Sequence, residues 1–373
     1  MNYYSHKLES LKASGNFRTI PSTATEAADT VVDFSSNDYL GLASDPTLQE
    51  EFFDSPHNRR IPLTASASRL LAAGQREFHD LEQMLSGLYG RDALLFNSGY
   101  HANTGLVSAL ASAPSTLIVT DRLVHASIID GIILSKAPFT RYRHNDYDHL
   151  ERIISDKASG YDRMLIITEG VFSMDGDRCD VARLADIKRR HPGTMLYIDE
   201  AHSMGVLGPH GLGLCMASDK RDYDAVDIIV GTFGKALASS GAFAVMNETM
   251  RHWAVNHARS LIFSTALPPL QAAWTRFTLE KTLQADDRRA HLLNLAATLN
   301  PEARYIYPHI IGDAAAAVET SRRLLDMGMK VLPIRTPTVP PGTERLRISL
   351  SAAITPRQVE LLRHTLATLR PSI

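Results

Sequence analysis

The feature that most constrains the fold of this chain is a series of five short apolar runs between residues 93 and 243. In order they are ALLFNS, STLIVTD, RMLIITEG, TMLYIDE and DIIVGTF, at residues 93–98, 115–121, 163–170, 194–200 and 227–233. Each run is rich in branched residues and apolar on both faces, as is typical of parallel strands covered by helices on both sides. Helical patterns, such as those at residues 103–112 and 181–190, separate several of them. The alternation predicts an α/β fold with a large, doubly wound, mostly parallel sheet.

The two ends of the chain have different patterns. Past about residue 285, strand-like runs at 305–311, 330–334 and 345–351 alternate with helical patterns at 314–327 and 356–369. That order is typical of a small α+β domain. At the other end, a polar helical pattern at residues 4–13 precedes a short strand-like run at 31–34. We therefore predict an N-terminal arm at residues 1–45, a large domain at 46–280 and a small C-terminal domain at 281–373.

Composition excludes several classes of protein. The chain has 41 acidic and 39 basic residues and a net charge of −2, so nucleic acid is not expected as a partner. No apolar stretch reaches the roughly 20 residues needed to span a bilayer, and no secretory signal pattern opens the sequence. Cys179 and Cys215 are too few for a disulfide framework, which favours free thiols in a reducing compartment. We expect a cytoplasmic enzyme with no membrane partner.

Familiar catalytic motifs do not fit. The segment GTFGKA at 231–236 has an alanine after its lysine, so it is not a phosphate-binding P-loop. The segment GPHGLG at 208–213 has the wrong glycine order for a dinucleotide fingerprint. The serine-hydrolase and zinc-protease motifs are lacking, and the 15 histidines show no metal-ligand spacing, so no metal is predicted.

Polar side chains follow all five predicted strands. These strand-end residues, with one glycine among them, are Ser98, Gly99 and Tyr100; Arg122 and His125; Glu169 and Ser173; Asp199 and His202; and Thr232 and Lys235. In an open α/β sheet, ligands bind beyond the carboxyl ends of the strands. The sequence therefore predicts one polar site at that edge of the sheet.

These groups have a use if the ligand is a phosphorylated pyridine aldehyde. Gly99 and Tyr100 open a helix that we expect to begin near Ala102, and free N–H groups at its start would hold a phosphate. His125 can stack on a flat ring, and Asp199 would keep a pyridine nitrogen protonated.

Two more of these groups would complete such a site. His202 could hydrogen-bond a ring hydroxyl, and Lys235 would form a Schiff base and then serve as acid and base. Taken singly, each of these residues also has an ordinary role: Gly99 as a turn glycine, Asp199 as a helix cap, Lys235 as a surface charge. The small, apolar residues around Lys235 argue against a surface charge, but position alone leaves both interpretations open.

Eight motifs, taken together, resemble those of the α-oxoamine synthase family. They are SSNDYLGLAS (35–44), SGYHAN (98–103), DRLVHASIIDG (121–131), HND (144–146), TEGVFSMDGD (168–177), DEAHSMGVLG (199–208), TFGKA (232–236) and IFSTALPP (262–269). The family consists of fold-type I, aminotransferase-like enzymes that use pyridoxal 5'-phosphate to join an amino acid to an acyl thioester with loss of CO2. The resemblance covers nearly the whole chain.

The resemblance implies a role for each matching residue. Lys235 is the Schiff-base lysine, His125 stacks on the cofactor ring, and Asp199 pairs with its nitrogen. Other implied cofactor contacts are His202 and Ser173 at the hydroxyl edge, Gly99, Tyr100 and Thr232 at the phosphate, and Ser264 or Thr265 at the phosphate in the neighbouring subunit. A homodimer with shared active sites follows from the last of these.

For the substrates, the resemblance implies that Asn37 and Arg347 bind the amino-acid carboxylate, while Arg18 and Ser351 serve the acyl group. TEGVFSMDGD, HND and IFSTALPP favour the members that condense L-alanine with a pimeloyl thioester, on coenzyme A or an acyl carrier protein, in biotin biosynthesis. Members that use glycine or serine remain alternatives, as does a non-catalytic module that binds pyridoxal phosphate. Residues 65–69 (ASASR) and Ile354 depart from the usual family pattern in segments associated with substrate fit.

Overall fold

A computed structural model describes residues 2–13, 17–18, 20, 31–72, 76–302 and 304–369. The chain divides into two compact units, a larger one of Asp38–Ser173 and Asp177–Arg289, and a smaller one of Met1–Asn37, Met174–Gly176 and Ala290–Ile373. The domain limits predicted at residues 45 and 280 stay predictions. Among the described residues, no helix has the length and apolar character that a membrane span requires.

The secondary structure follows the predicted alternation. The helices are α1 Asn2–Ala13, α2 Pro46–Asp54, α3 Arg76–Tyr89, α4 Gly99–Ala111, α5 Ala126–Ser135, α6 Tyr147–Lys157, α7 Val181–Arg190, α8 Lys220–Ala225, α9 Glu248–His257, α10 Arg259–Ile262, α11 Pro269–Leu283, α12 Asp286–Leu299, α13 Ala314–Asp326 and α14 Pro356–Thr368. The strands are β1 Val32–Asp33, β2 Asp92–Phe96, β3 Thr116–Asp121, β4 Phe139–Tyr142, β5 Arg163–Glu169, β6 Thr194–Asp199, β7 Ile228–Thr232, β8 Ala242–Met246, β9 Ile306–Ile310, β10 Met329–Lys330, β11 Leu332–Ile334 and β12 Arg345–Ser349.

The larger unit is built on a seven-stranded sheet in the order β2-β8-β7-β6-β5-β3-β4. All five apolar runs form strands in it, and β3, β4, β5, β6 and β7 pair in parallel. Strand β8 is antiparallel to both of its neighbours, β2 and β7. These pairings confirm the predicted α/β fold with a large, mostly parallel sheet.

Helices α4 and α5 pack against this sheet and against each other. Leu106, Leu110, Ile128 and Ile132 are at most 3% exposed and belong to one apolar core. Burying a side chain of this size contributes roughly 1.5–3 kcal/mol, so the pair of helices is firmly held. Gly131 allows their close approach, since a Cβ there would lie 2.9 Å from the Val107 Cβ.

The start of α4 corrects one expectation. The helix begins at Gly99 rather than near Ala102, because Ser98 is its N-cap and accepts a hydrogen bond from the His101 N–H at 3.1 Å. Gly99 and Tyr100 therefore belong to the first helical turn, where backbone N–H groups have no partner within the helix.

The smaller unit joins both ends of the chain. Strand β1 pairs in parallel with β10, and β12 lies between β11 and β9 in an antiparallel sheet. Ser349 ties the N-terminal segment to β12, because its N–H donates to the Phe34 carbonyl at 2.8 Å and its hydroxyl donates to the Ser36 carbonyl at 2.6 Å. Residues 31–37 are thus fixed on the same strands that carry Arg347.

Candidate active site

A cavity of about 180 Å³ lies at the carboxyl ends of the central strands of the larger unit. It is lined by Gly99, Tyr100, Asn103, His125, Ser127, Glu169, Asp199, Ala201, His202, Thr232 and Lys235. These residues come from the ends of β5, β6 and β7 and from the starts of α4 and α5. The structure therefore brings together most of the predicted strand-end groups, while Ser98, Arg122 and Ser173 do not line the cavity.

Asp199 ends β6 and is held in place by neutral donors. One carboxylate oxygen accepts a hydrogen bond from the Asn103 side-chain amide at 2.7 Å, and the other accepts one from the Ala201 N–H at 2.8 Å. Asn103 is itself oriented by Tyr197, whose hydroxyl donates to the amide oxygen at 2.6 Å. Asp199 is only 5% exposed, so its orientation in the cavity is set by buried contacts.

His125 lies immediately before α5 and caps that helix. Its Nδ1 atom accepts from the Ser127 N–H at 3.3 Å and lies 2.7 Å from the Ser127 hydroxyl. Burial is the largest influence and lowers the pKa of His125, the charge of Lys235 lowers it further, and the charge of Asp199 opposes the shift. The ring is therefore predominantly neutral at pH 7.

Glu169 is a site residue to which the sequence analysis gave no role. It ends β5 directly beside Asp199 in the parallel register, is 3% exposed, and accepts a hydrogen bond from the His125 N–H. Burial and then the charge of Asp199 raise its pKa well above the usual range. Its position at the end of a predicted strand could have identified it as a site residue. For Asn103 the sequence gives a weaker indication, since it follows Gly99 by one helical turn.

Lys235 and Thr232 follow β7 in the segment TFGKA. The Thr232 hydroxyl donates to the Gly241 carbonyl at 3.1 Å, and the Ala238 N–H donates to the Lys235 carbonyl at 2.9 Å, which fixes the turn that carries the lysine. Lys235 is half-buried rather than a fully exposed surface charge. A Cβ at Gly99 would lie 3.8 Å from Thr232, in van der Waals contact, so Thr232 and the start of α4 are close neighbours.

His202 follows Asp199 by three residues, beyond the end of β6, and is 6% exposed. Its Nδ1 atom hydrogen-bonds with the hydroxyl of Tyr39 at 2.6 Å, and Tyr39 is fully buried. Tyr39 comes from the motif SSNDYLGLAS, where no role was predicted for it. This contact sets the direction of the imidazole.

Three predicted cofactor residues do not line the cavity. Ser264 accepts a hydrogen bond from the Asn97 side-chain amide at 2.9 Å, and Thr265 forms an antiparallel bridge with Ser68. Ser173 lies in the loop after β5, beside the Phe172 N–H that donates to the Asp177 carbonyl at 2.9 Å. Their predicted cofactor roles stay predictions.

The four predicted substrate residues all belong to the smaller unit. Arg347 is 4% exposed, and its guanidinium donates to the side-chain oxygen of Asn37 at 3.1 Å, so the predicted carboxylate-binding pair is in contact. Ser351 is 6% exposed. Arg18 lines a different cavity, of about 540 Å³, which it shares with Leu8, Leu11, Phe17 and residues 333–338.

The described part of the chain contains no group of three or more His, Cys, Asp or Glu side chains that could hold a metal ion. Cys179 and Cys215 are free and buried, and burial raises the pKa of both thiols.

Three comparisons relate the chain to known proteins. The model of the family "Aminotransferase class I and II" matches residues 29–366. The 8-amino-7-oxononanoate synthase of Chlorobaculum parvum is 44% identical, with 97% of each chain covered. The structure of a serine palmitoyltransferase from S. paucimobilis with bound pyridoxal phosphate superimposes with a TM-score of 0.87 at 27% identity, covering 98% of this chain and 96% of that one. An 8-amino-7-oxononanoate synthase from Francisella tularensis gives 0.76 at 27% identity, covering 92% and 100%.

Proposed function

The chain belongs to the aminotransferase class I and II family, and we propose that its activity is that of an 8-amino-7-oxononanoate synthase. In this reaction L-alanine condenses with a pimeloyl thioester, carried by coenzyme A or an acyl carrier protein. The products are 8-amino-7-oxononanoate, CO2 and the free thiol, and the pathway is biotin biosynthesis. The observation that carries the proposal is the cavity in which Lys235, Asp199, His125 and the start of α4 meet.

The residues present fit pyridoxal 5'-phosphate. Asp199 is a buried carboxylate that accepts hydrogen bonds from neutral donors, and a protonated pyridine nitrogen would supply the cation that such a group favours. The first turn of α4 offers N–H groups to a phosphate, and Thr232 lies beside it at the cavity. When bound, the cofactor supplies an electron sink that stabilises negative charge at the α-carbon of the amino acid.

Lys235 is the residue that moves protons. Its Nζ atom would hold the cofactor aldehyde, and as a free amine it would take the proton from the α-carbon of the amino acid and later return one. The half-buried turn from Lys235 to Ala238 holds this amine at the cavity.

His125 and Glu169 act together beside the cofactor ring. A neutral imidazole at His125 packs on a flat ring without adding positive charge, and its N–H can donate to the carbonyl of the incoming thioester. Glu169, whose pKa is raised by burial and by Asp199, holds the backbone of His125 in place. His202, directed by Tyr39, would donate to the ring hydroxyl.

Substrate binding by the smaller unit is part of the proposal. The guanidinium of Arg347 forms a fork suited to the carboxylate of alanine, and Asn37 orients it. Arg18 and Ser351 are the proposed contacts of the acyl group. The apolar walls around Arg18 suit a methylene chain.

We also propose a cytoplasmic homodimer in which Ser264 or Thr265 reaches the phosphate of the neighbouring subunit's cofactor. Two large apolar side chains near the Ser68–Thr265 bridge, Leu71 and Phe263, are 78% and 71% exposed. Exposed apolar groups of this size favour burial in an interface. Sedimentation analysis should give a dimer, and a monomer that remains fully active would contradict the shared site.

The function is tested by turnover. The protein loaded with pyridoxal phosphate is assayed with alanine, glycine and serine, each against pimeloyl, acetyl and succinyl thioesters of coenzyme A. We expect alanine with the pimeloyl thioester to be the best pair, with release of CO2 and free thiol. Preference for glycine or serine would transfer the chain to another α-oxoamine synthase activity, and lack of turnover with every pair would favour a non-catalytic module.

Two variants accompany this assay. Lys235→Ala should abolish formation of the amino ketone, because it removes the proton-transferring amine. Lys157→Ala changes an exposed lysine at the end of α6 and should retain wild-type turnover. Equal rates for both variants would contradict the assigned role of Lys235.

A further inference from the structure

His144, in the motif HND, lies between two carboxylates of the larger unit. Its Nδ1 atom is 3.0 Å from one oxygen of Asp121 at the end of β3, and its Nε2 atom is 2.7 Å from an oxygen of Asp177. The Asp121 side chain is fully buried, and that of His144 is 23% exposed. Neither Asp121 nor His144 belongs to the cavity that contains Lys235.

Both nitrogens of this ring have to donate hydrogen bonds. A neutral imidazole has one N–H, so one of the two carboxylates would face a lone pair at close range. A doubly protonated ring satisfies both carboxylates and neutralises part of their charge. Burial alone would lower the pKa of His144, but the hydrogen bonds and charges of Asp121 and Asp177 outweigh it and raise the pKa to about 10.

The two carboxylates also bind the backbone of the loops around the active site. Asp121 accepts hydrogen bonds from the Leu123 N–H at 2.8 Å and from the Asn145 N–H at 2.9 Å. The first of these fixes the turn that leads to His125. The Asp121 side chain thus connects the HND segment with the chain entering α5.

The other side of the cluster fixes the loop after β5. Asp177 accepts from the Asn145 side-chain amide at 2.8 Å, and its backbone carbonyl accepts from the Phe172 N–H at 2.9 Å. The Phe172 ring meets the His144 ring edge-on, with centroids 4.4 Å apart. This loop starts directly after Glu169 and contains Ser173.

We propose that His144 is a positioning residue, an imidazolium at neutral pH that holds the loop leading to His125 and the loop after Glu169 in their catalytic arrangement. It touches neither cofactor nor substrate and acts through Asp121 and Asp177. The catalytic part of this inference rests on the proposed function. The charge of the ring does not, because it follows from contacts within the cluster.

The charges around the cluster support a cation at this position. The other ionisable groups nearby on the adjoining segments are Arg122, Tyr142, Arg143, Asp146, Tyr147, His149, Glu169, Asp175, Arg178, Cys179 and Asp180. Arg143 pairs with Asp146, and Tyr147 donates to the Asn145 side-chain oxygen at 3.1 Å. With His144 charged, the three central groups carry a net charge of −1; with a neutral ring they would carry −2, with Asp121 fully buried.

The first experiment measures the ring charge in the wild-type protein without substrate. Nitrogen NMR of the holoenzyme labelled at histidine should show both ring nitrogens of His144 protonated from pH 7 to pH 9. The signal is assigned by its loss in His144→Gln. A ring that loses a proton near pH 6.5, the ordinary value, would overturn the proposal whatever reaction the enzyme catalyses.

The second experiment measures positioning. His144→Gln is compared with His252→Gln, an exposed histidine on α9, using whichever of alanine, glycine or serine the wild type turns over. We expect kcat of His144→Gln to fall about tenfold to hundredfold, as for a misplaced catalytic group, with KM within about twofold. The visible circular dichroism of the bound cofactor should change with it, while His252→Gln matches the wild type in both.

A double variant separates charge from shape. His144→Gln leaves two carboxylates without their cation, and adding Asp177→Asn restores the net charge of the cluster to −1. The double variant should therefore regain part of the lost kcat and of the cofactor's circular dichroism. Wild-type kcat and circular dichroism in His144→Gln, or further loss in the double variant, would overturn the positioning role.

Discussion

Two histidines at the same edge of the large sheet differ in charge, one neutral and one protonated, although each lies near two carboxyl groups. His125 lies near Asp199 and Glu169, and burial lowers its pKa. His144 bonds directly to its two carboxylates, and its pKa is raised to about 10. The difference shows that the number of nearby acidic groups does not decide the charge of a histidine. What decides it is whether those groups accept hydrogen bonds from the ring nitrogens.

The same difference separates the uses of the two rings. His125 directs Nδ1 to its own helix start and is neutral, which suits a residue that packs against a cofactor ring. His144 uses both nitrogens within the protein and is charged, which suits a residue that holds loops together. The proposed active site and the histidine proposed to position its loops thus lie at the same edge of the sheet.

The largest expected effect contrasts a carboxylate from each region. Asp199→Asn keeps the shape of the side chain but removes the charge that would hold the pyridine nitrogen protonated, so kcat should fall about a thousandfold. Asp177→Asn removes a carboxylate of the His144 cluster and should lower kcat by about tenfold or less. Steady-state kinetics of the two variants measures the contrast, and equal losses would remove the distinction between site and support.

A smaller effect tests the neutral, stacking role of His125. His125→Phe keeps a flat ring, whereas His125→Ala removes it, so the Ala variant should bind pyridoxal phosphate about fivefold more weakly than the Phe variant. Both variants should lose kcat, because neither has the imidazole N–H. Cofactor titration by absorbance provides the measurement. Full kcat in the Phe variant would show that stacking alone is the role of this residue.

The smallest expected effect is on stability as a function of pH. The pKa of His144 rises on folding from the ordinary 6.5 to about 10, so its stabilisation is complete below pH 6.5 and is lost as pH rises to about 10. After a discount for solvent screening, we expect a loss of about 2 kcal/mol in the free energy of unfolding. His125, whose pKa is lowered, should instead cost stability as pH falls below 6.5.

Urea unfolding of the wild type and His144→Gln between pH 6 and pH 10 measures this effect. The difference in unfolding free energy between them should shrink as pH rises. A difference that stays constant across this range would contradict the charged ring in the folded protein.

The strands of the large sheet that the sequence analysis predicted share one property, and the two that it missed, β4 and β8, escaped for different reasons. All five predicted runs are apolar on both faces, because helices cover both sides of the sheet. Strand β4 is the edge strand, and two of its four residues, Phe139 and Arg141, are exposed, so the run has no continuous apolar pattern. Strand β8 is buried, but it directly follows the small, apolar segment after Lys235 (residues 236–241), and the sequence analysis took the start of the strand as part of that segment.

The site was predictable where it depended on strand ends and less so elsewhere. Lys235, Asp199 and His202 follow strands directly, and the structure places them at one cavity. Asn103, one turn inside α4, donates to Asp199 and to Ser127 in the first turn of α5. Sequence spacing does not determine how a helix is rotated against a sheet, so these contacts could not be predicted. The pairing of His144 with Asp177 spans 33 residues and depends on how the loop after β5 folds.

The measurement that tests the central claim most directly is the location of the cofactor on the chain. The protein loaded with pyridoxal phosphate is reduced with borohydride, which converts the link between aldehyde and amine into a stable bond, and its peptides are analysed by mass spectrometry. The cavity at the strand ends predicts a single pyridoxyl group on Lys235. Cofactor attached to another lysine, or Lys235 left unmodified while the protein retains the cofactor, would contradict this account.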